Sequence, residues 1–351
     1  MSARILLLLT DLKIGGTPTV VRELAIRLSR QPGVSVHVAC LDRWGPVADQ
    51  LREHGAEVTA LNAKGASDVT AIFRLGGLIR RHRFDTVFSF LVHANAAAAV
   101  CRPFFPFVRF LQSIQTTQPY PIWHWDLQRG VQLMAEKVVV PSASAALAAR
   151  RLAGVPEIKL VVIPNAVEPR NFQRAGGRSG GSIGFIGRLD PVKRVEDLVE
   201  AMTMLDRGTS LHIFGDGEDR GRIEWAVRRL NLQQRVILHG AVPAVATALA
   251  TLDVLVLPSE AEGFGLVLIE AMAAGVPVVA TDVPGIRDVV ADGVNGLLVP
   301  PNIVPALADA IRQVLSDEEL RTRLVRGGLE AVDQRFNWDK VFEQYKLLLR
   351  V

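Results

Sequence analysis

Residues Asp253 to Asp282 read DVLVLPSEAEGFGLVLIEAMAAGVPVVATD: a short apolar run, a glycine turn, an apolar helix and a second apolar run. Val254 to Leu257 and Val276 to Thr281 have almost no polar face, and a strand of that kind must be covered on both sides. A parallel sheet packed between helices meets that demand. Pro258 stops the first run, and the helix opens near Gly265. Across the turn, Gly263 and Gly265 let backbone N–H groups approach a phosphate or a polarised sugar. Glycine permits the close approach, and a helix start has unpaired donors and the positive end of its dipole. Glu262 and Glu270, eight residues apart, flank the turn as acceptors for sugar or ribose hydroxyls. Glu270 taken alone reads equally as a charge stabilising the start of its own helix.

The same alternation of strand and helix runs twice along the chain. Ile5 to Thr10, Val34 to Cys40, Val58 to Leu61, Thr86 to Leu91 and Val138 to Pro141 read as strands of a first half. Ser182 to Ile186, Leu211 to Phe214, Val236 to Leu238, Val254 to Leu257 and Val278 to Thr281 read as strands of a second. Between them EPRNFQRAGGRSGG lacks periodic apolar residues and reads as a linker. The expected class is α/β, with a domain over residues 1–167, a linker over 168–181, a second domain over 182–335 and a closing helical segment over 336–351. A length of 351 residues suits about two domains, each with its own core.

Composition narrows the setting. Hydrophobic residues at 49% and charged ones at 22% describe a globular protein. Cys40 and Cys101 make no disulfide framework, and no C-x-x-C or Cys/His cluster suggests zinc, so no metal and a reducing cytoplasm are expected. Ile5 to Leu9 is too short for a signal-peptide core, and no run approaches the roughly 20 apolar residues of a membrane span. Residues 1–166 hold 19 Lys and Arg against 11 Asp and Glu, a net +8, and residues 167–351 hold 21 against 25, a net −4. A basic first half calls for an anionic partner, for which nucleic acid and a phospholipid surface are the candidates, although a solvated surface explains much of it too.

Further residues carry possible chemistry. Arg188 and Lys193 flank the loop after Ser182 to Ile186, at the carboxyl end of a parallel strand, where open α/β sheets bind ligands. A guanidinium and an ammonium there would stabilise a departing diphosphate without a metal, although surface cations are also commonly just solvated. Gly15 and Gly16 follow the first strand and either face a phosphate or make a tight turn. His93, in SFLVHAN, is by itself a hydrogen-bonded loop residue. Gly215, Gly217 and Gly221 form a loosened dinucleotide pattern in the wrong place for a dehydrogenase. No G-x-x-x-x-G-K-[ST] and no D-x-D occur, so neither P-loop transfer nor a metal-bridged donor is expected. RPFFPFVRF, Arg102 to Phe110, sets four phenylalanines among arginines and reads either as core or as a membrane-facing loop.

The glutamate pair inside EGFGLVLIEAMAAGVPVVATDVPG resembles the E-x7-E signature of glycosyltransferase family 4, retaining GT-B enzymes that use sugar nucleotides. GRLDPVKR resembles that family's donor-diphosphate motif, and IFGDG its next strand end. IPNAV resembles its interdomain segment, with Ala166 where the family usually has Gly. The resemblance covers nearly the whole chain, most strongly from Val162 to Pro300 and most weakly from Leu61 to Gln132. It implies two Rossmann-like domains facing across a cleft, with the last helix crossing back to the first domain. It implies transfer from a UDP- or GDP-sugar with no cofactor and no metal. By the same resemblance Arg188, Lys193, Glu262 and His93 belong to the reacting centre, with His93 contacting the donor sugar. Gly15, Gly16, Asn165, Gly263, Phe264, Gly265, Leu266 and Glu270 bind substrate, Glu270 through the ribose. The acceptor is expected to be a glycan or a lipid-linked sugar. The expected place is the cytoplasm, with docking on the inner face of an anionic membrane and no nucleic-acid partner. The rival readings are a GT-B-like nucleotide-sugar epimerase and a two-domain sugar-binding protein without turnover.

Overall fold

The computed structural model describes residues 3–65, 68–172, 180–242 and 244–351. The chain divides into two units, Met1–Pro164 together with Val341–Val351, and Asn165–Lys340. The first holds β1 (Ala3–Leu9), β2 (Val34–Cys40), β3 (Glu57–Ala60), β4 (Thr86–Phe90), β5 (Arg109–Ser113), β6 (Lys137–Val140) and β7 (Leu160–Val162). They form one sheet in the order β3-β2-β1-β4-β5-β6-β7, with every pairing parallel. The second holds β8 (Ser182–Ile186), β9 (Ser210–Phe214), β10 (Val236–Gly240), β11 (Val254–Leu257), β12 (Val278–Thr281) and β13 (Leu297–Val299), ordered β10-β9-β8-β11-β12-β13 and again parallel.

Burial follows the reading of the strands. Ile5 through Leu9 and Val254 through Leu257 are at most 2% exposed, as a strand covered by helices on both faces must be. In each sheet the strand order reverses once, between β1 and β4 and between β8 and β11. At such a switch point the loops leaving neighbouring strands diverge and open a crevice at the carboxyl ends. Gly15 and Gly16 stand where the chain leaving β1 enters the helix Gly16–Ser29, and His93 stands at the start of the helix Val92–Cys101 that follows β4. The loops after β8 and β11 carry Arg188, Lys193 and Glu262.

Three strands are absent from the periodicity reading. β7 and β13 are only three residues long, and β5 begins inside the segment read as one Phe-Arg stretch. Phe110 lies in β5 and is 2% exposed, and Phe105 packs against the same cluster, while Phe104 and Phe107 are 74% and 97% exposed. Core and surface readings therefore each hold for two of the four phenylalanines. Of the expected linker, Pro169–Asn171 is a 3-10 turn and residues 173–179 lie outside the described residues. In the closing helix, Trp338–Leu349, Tyr345 is fully buried with its ring 6.3 Å from that of Phe88. Arg109 holds the helix end, donating to the Leu348 carbonyl at 3.1 Å and pairing with Glu136 at 2.9 Å.

Candidate active site

The second unit brings its two motifs together through an ion pair. Lys193 Nζ lies 2.5 Å from Glu262 Oε1, with side chains 16% and 10% exposed, and the Ser259 hydroxyl donates to the same carboxylate oxygen at 2.8 Å. Glu260 N donates to the Val192 carbonyl at 2.8 Å, tying the loop after β8 to the loop after β11. Lys193 and Glu262, read separately as a phosphate cation and a sugar acceptor, are thus each other's partners in this structure. Arg188 is the outward-facing cation of the motif, its side chain 72% exposed and paired with Asp190 at 2.7 Å.

The glycine pattern has two different causes. Gly265 adopts φ +80° as the N-cap of the helix Leu266–Ala273, a left-handed conformation that glycine enters without a steric cost. That helix has no side-chain cap and no acidic residue in its first turn, so its first N–H groups are not met by its own side chains. Glu270 is the fifth residue of the helix, past the first turn, which removes the reading of it as a helix-start charge. Phe264 is 4% exposed with its ring edge-on to Phe336 at 5.6 Å, and Leu266 packs against the core, so these two positions offer a ligand backbone rather than side chain. Gly215 and Gly217 serve packing instead. A Cβ at either would collide with the backbone of Gly187 or Leu189, and Leu189 N donates to the Asp216 carbonyl at 3.0 Å. The loosened dinucleotide pattern is thus the means by which the loops after β8 and β9 lie against each other. Asn165 is 7% exposed, next to the boundary of the second unit.

In the first unit Gly15 is the N-cap of the helix Gly16–Ser29, again with no side-chain cap and no acidic first turn. Its backbone is extended and a Cβ would meet only Pro18 Cδ at 3.7 Å, so the turn itself does not require glycine there. His93 stands not in a loop but at the second position of the helix Val92–Cys101. The preceding Leu91 has φ +72° and ψ 156°, a conformation a leucine holds only under strain, of the kind that collects at functional sites. The His93 ring lies 5.8 Å from Trp123 and 5.5 Å from His124. Beneath it runs a buried polar chain that the sequence does not reveal. The Ser89 hydroxyl donates to Asn95 at 2.8 Å, Asn95 Nδ2 to Gln128 at 3.0 Å, and Gln128 Nε2 to Gln112 at 2.9 Å. The only hint was polar letters in otherwise apolar runs, and those fix the helix that carries His93.

Residues 14–171 match the model of Glycosyltransferase Family 4, and residues 178–330 match that of Glycosyl transferases group 1. The chain belongs to the family 4 glycosyltransferases. Among curated relatives of this family 4 chain, N-acetyl-alpha-D-glucosaminyl L-malate synthase of Bacillus anthracis is 37% identical over 165 residues, 46% of this chain and 43% of that one. D-inositol 3-phosphate glycosyltransferase of Xylanimonas cellulosilytica is 36% identical over 162 residues, 44% and 39% of the two. The chain thus spans less than half the length of these relatives. Anabaena HepE, solved in complex with UDP and glucose, superposes with a TM-score of 0.88 at 20% identity over 99% of both chains. Sucrose-phosphate synthase from Thermosynechococcus elongatus does so with 0.88 at 22%, over 99% and 98%. The fold is GT-B, with two Rossmann-like units.

Proposed function

We propose that this family 4 glycosyltransferase moves a sugar from a nucleoside diphosphate sugar, UDP- or GDP-linked, to a glycan or lipid-linked sugar held by the first unit, with retention at the anomeric carbon. The observation that carries the reading is the Lys193–Glu262 pair, which joins the cationic motif to the glycine turn at the carboxyl ends of β8 and β11. The diphosphate lies along the N-terminus of the helix Leu266–Ala273, and Glu270 accepts hydrogen bonds from the ribose. As the glycosyl-phosphate bond breaks, negative charge grows on the β-phosphate. Arg188 and Lys193 stabilise it more in the transition state than in the ground state. The acceptor hydroxyl attacks on the face that the phosphate leaves, and the departing phosphate takes its proton. His93 contacts the donor sugar, and Gly15 and Gly16 offer N–H donors to phosphate. Two cations already meet the developing charge, so the reaction needs neither metal nor cofactor.

The test is release of nucleoside diphosphate from purified protein with a panel of UDP- and GDP-sugars, with and without candidate acceptors and with EDTA. Acceptor-dependent release, unaffected by EDTA and yielding a product with the donor's anomeric configuration by NMR, is expected. Release of free, epimerised sugar without an acceptor would make it an epimerase, and donor binding without release a sugar-binding protein.

A further inference from the structure

At the other end of the first sheet from His93, three potential metal ligands converge that play no part in sugar transfer. His37 lies within β2, Glu57 opens the edge strand β3, and His82 ends the helix Val69–His82 that leads into β4. His37 and Glu57 are register partners across the β2–β3 pairing, so both stand on one face of the sheet. His37 Nδ1 is 3.0 Å from Glu57 Oε2 and His82 Nδ1 is 3.8 Å from that same oxygen. All three ligand atoms fall within 4.8 Å of one another. Ligands about 2.0–2.2 Å from a tetrahedral zinc stand roughly 3.3–3.6 Å apart, so the set closes on an ion with shifts of about an ångström or less.

We propose that His37, Glu57 and His82 form a zinc site in which a water completes the tetrahedron. Two imidazoles and a carboxylate are a donor set that suits zinc and leaves one position open. The surroundings hold the ligands in place. The second ring nitrogen of His37, Nε2, is 2.8 Å from the Thr59 hydroxyl, so with Nε2–H donating to Thr59 the lone pair of Nδ1 points at the site. Phe84, 5% exposed, stacks on His82 at 5.5 Å and 5° and meets His37 edge-on at 5.8 Å, fixing both rings. Glu57 is exposed, which gives the ion a path from solvent. The bound ion would tie the edge strand β3 to β2 and to the helix before β4.

Titrating the full chain with zinc by calorimetry, and with cobalt(II) followed by visible absorption, tests the site. One equivalent of zinc should bind, cobalt should give the intense bands of a tetrahedral ion, and His82→Ala should weaken zinc binding about 10-fold or more. Glu57→Gln should do the same. Both side chains are at least part exposed, so circular dichroism and the melting temperature in EDTA should match wild type, as should sugar transfer in EDTA. Wild type that binds no zinc, or zinc binding that survives in His82→Ala because it resides at the His212–His239 pair, whose ring nitrogens are 3.0 Å apart, would overturn the assignment.

Discussion

Glu262 is 8% exposed, and its carboxylate is answered by an ammonium and a hydroxyl. Removing one member of a largely buried pair strands the other. Lys193→Ala should therefore cost about 3 kcal/mol of stability, measured by urea denaturation. Lys193→Ala with Glu262→Ala should cost clearly less than the sum of the two single changes, because the residues are in contact. Strict additivity would mean that the pair does not act as a unit. Catalysis separates the same loop differently. Arg188 is exposed, so Arg188→Ala should leave the fold intact while lowering kcat more than it raises the donor KM. A normal kcat would remove it from the reacting centre. Glu270, half-buried at the fifth position of its helix, should behave as a binding residue. Glu270→Ala should lose roughly 1.5–3 kcal/mol of donor affinity by calorimetry with an unchanged melting temperature. Unchanged affinity would end the ribose assignment. Letters and spacing single these residues out, but their mutual pairing is not readable from them.

Elements decide what a motif is for. Gly265 and Gly215 look alike in the sequence, yet one starts a helix whose N–H groups lack side-chain caps and the other lets two loops touch. Local pattern cannot separate these uses, because the atoms that fill the space around Gly215 come from Gly187, in the loop of a neighbouring strand. The Phe-Arg segment divides for a related reason. Once β5 takes Phe110 into the sheet, Phe104 and Phe107 are left outward, and Phe107 lines a groove of about 600 Å³ together with Arg102, Leu133 and Met134. Leu133 and Met134 are themselves 65% and 42% exposed, so the patch is apolar, with Arg102 and the Arg109–Glu136 pair at its margin. Together with the net +8 of residues 1–166, it should bring the protein down with vesicles containing phosphatidylglycerol, less so as salt screens the charges. Phe104→Ser with Phe107→Ser should reduce that co-sedimentation without changing stability, because neither ring is buried. Wild type that ignores such vesicles at low salt would point to a soluble acceptor. Among the described residues no helix is long and apolar enough to cross a membrane.

Across the whole molecule, acid lability should be set first by histidines. Burial lowers His37 and His124 in the first unit and His212 in the second below 6.5. Between those lowered values and 6.5 the unfolded chain binds more protons than the folded one. Their contribution is therefore complete above pH 6.5 and is lost as pH falls through the folded values. Urea midpoints should hold steady above 6.5 and fall below it, and a midpoint flat across that range would contradict the burial of these rings. The doubly repeated α/β architecture, the parallel sense of both sheets and the cationic and glutamate motifs were determined by the sequence alone. Runs such as Val254 to Leu257 have no polar face to show water, and the residues around each turn are local. Tertiary structure alone decided that Lys193 meets Glu262, 69 residues on, and that His37, Glu57 and His82 meet at a sheet edge. Those meetings depend on strand order and register, which arise from packing between elements and leave no period along the chain.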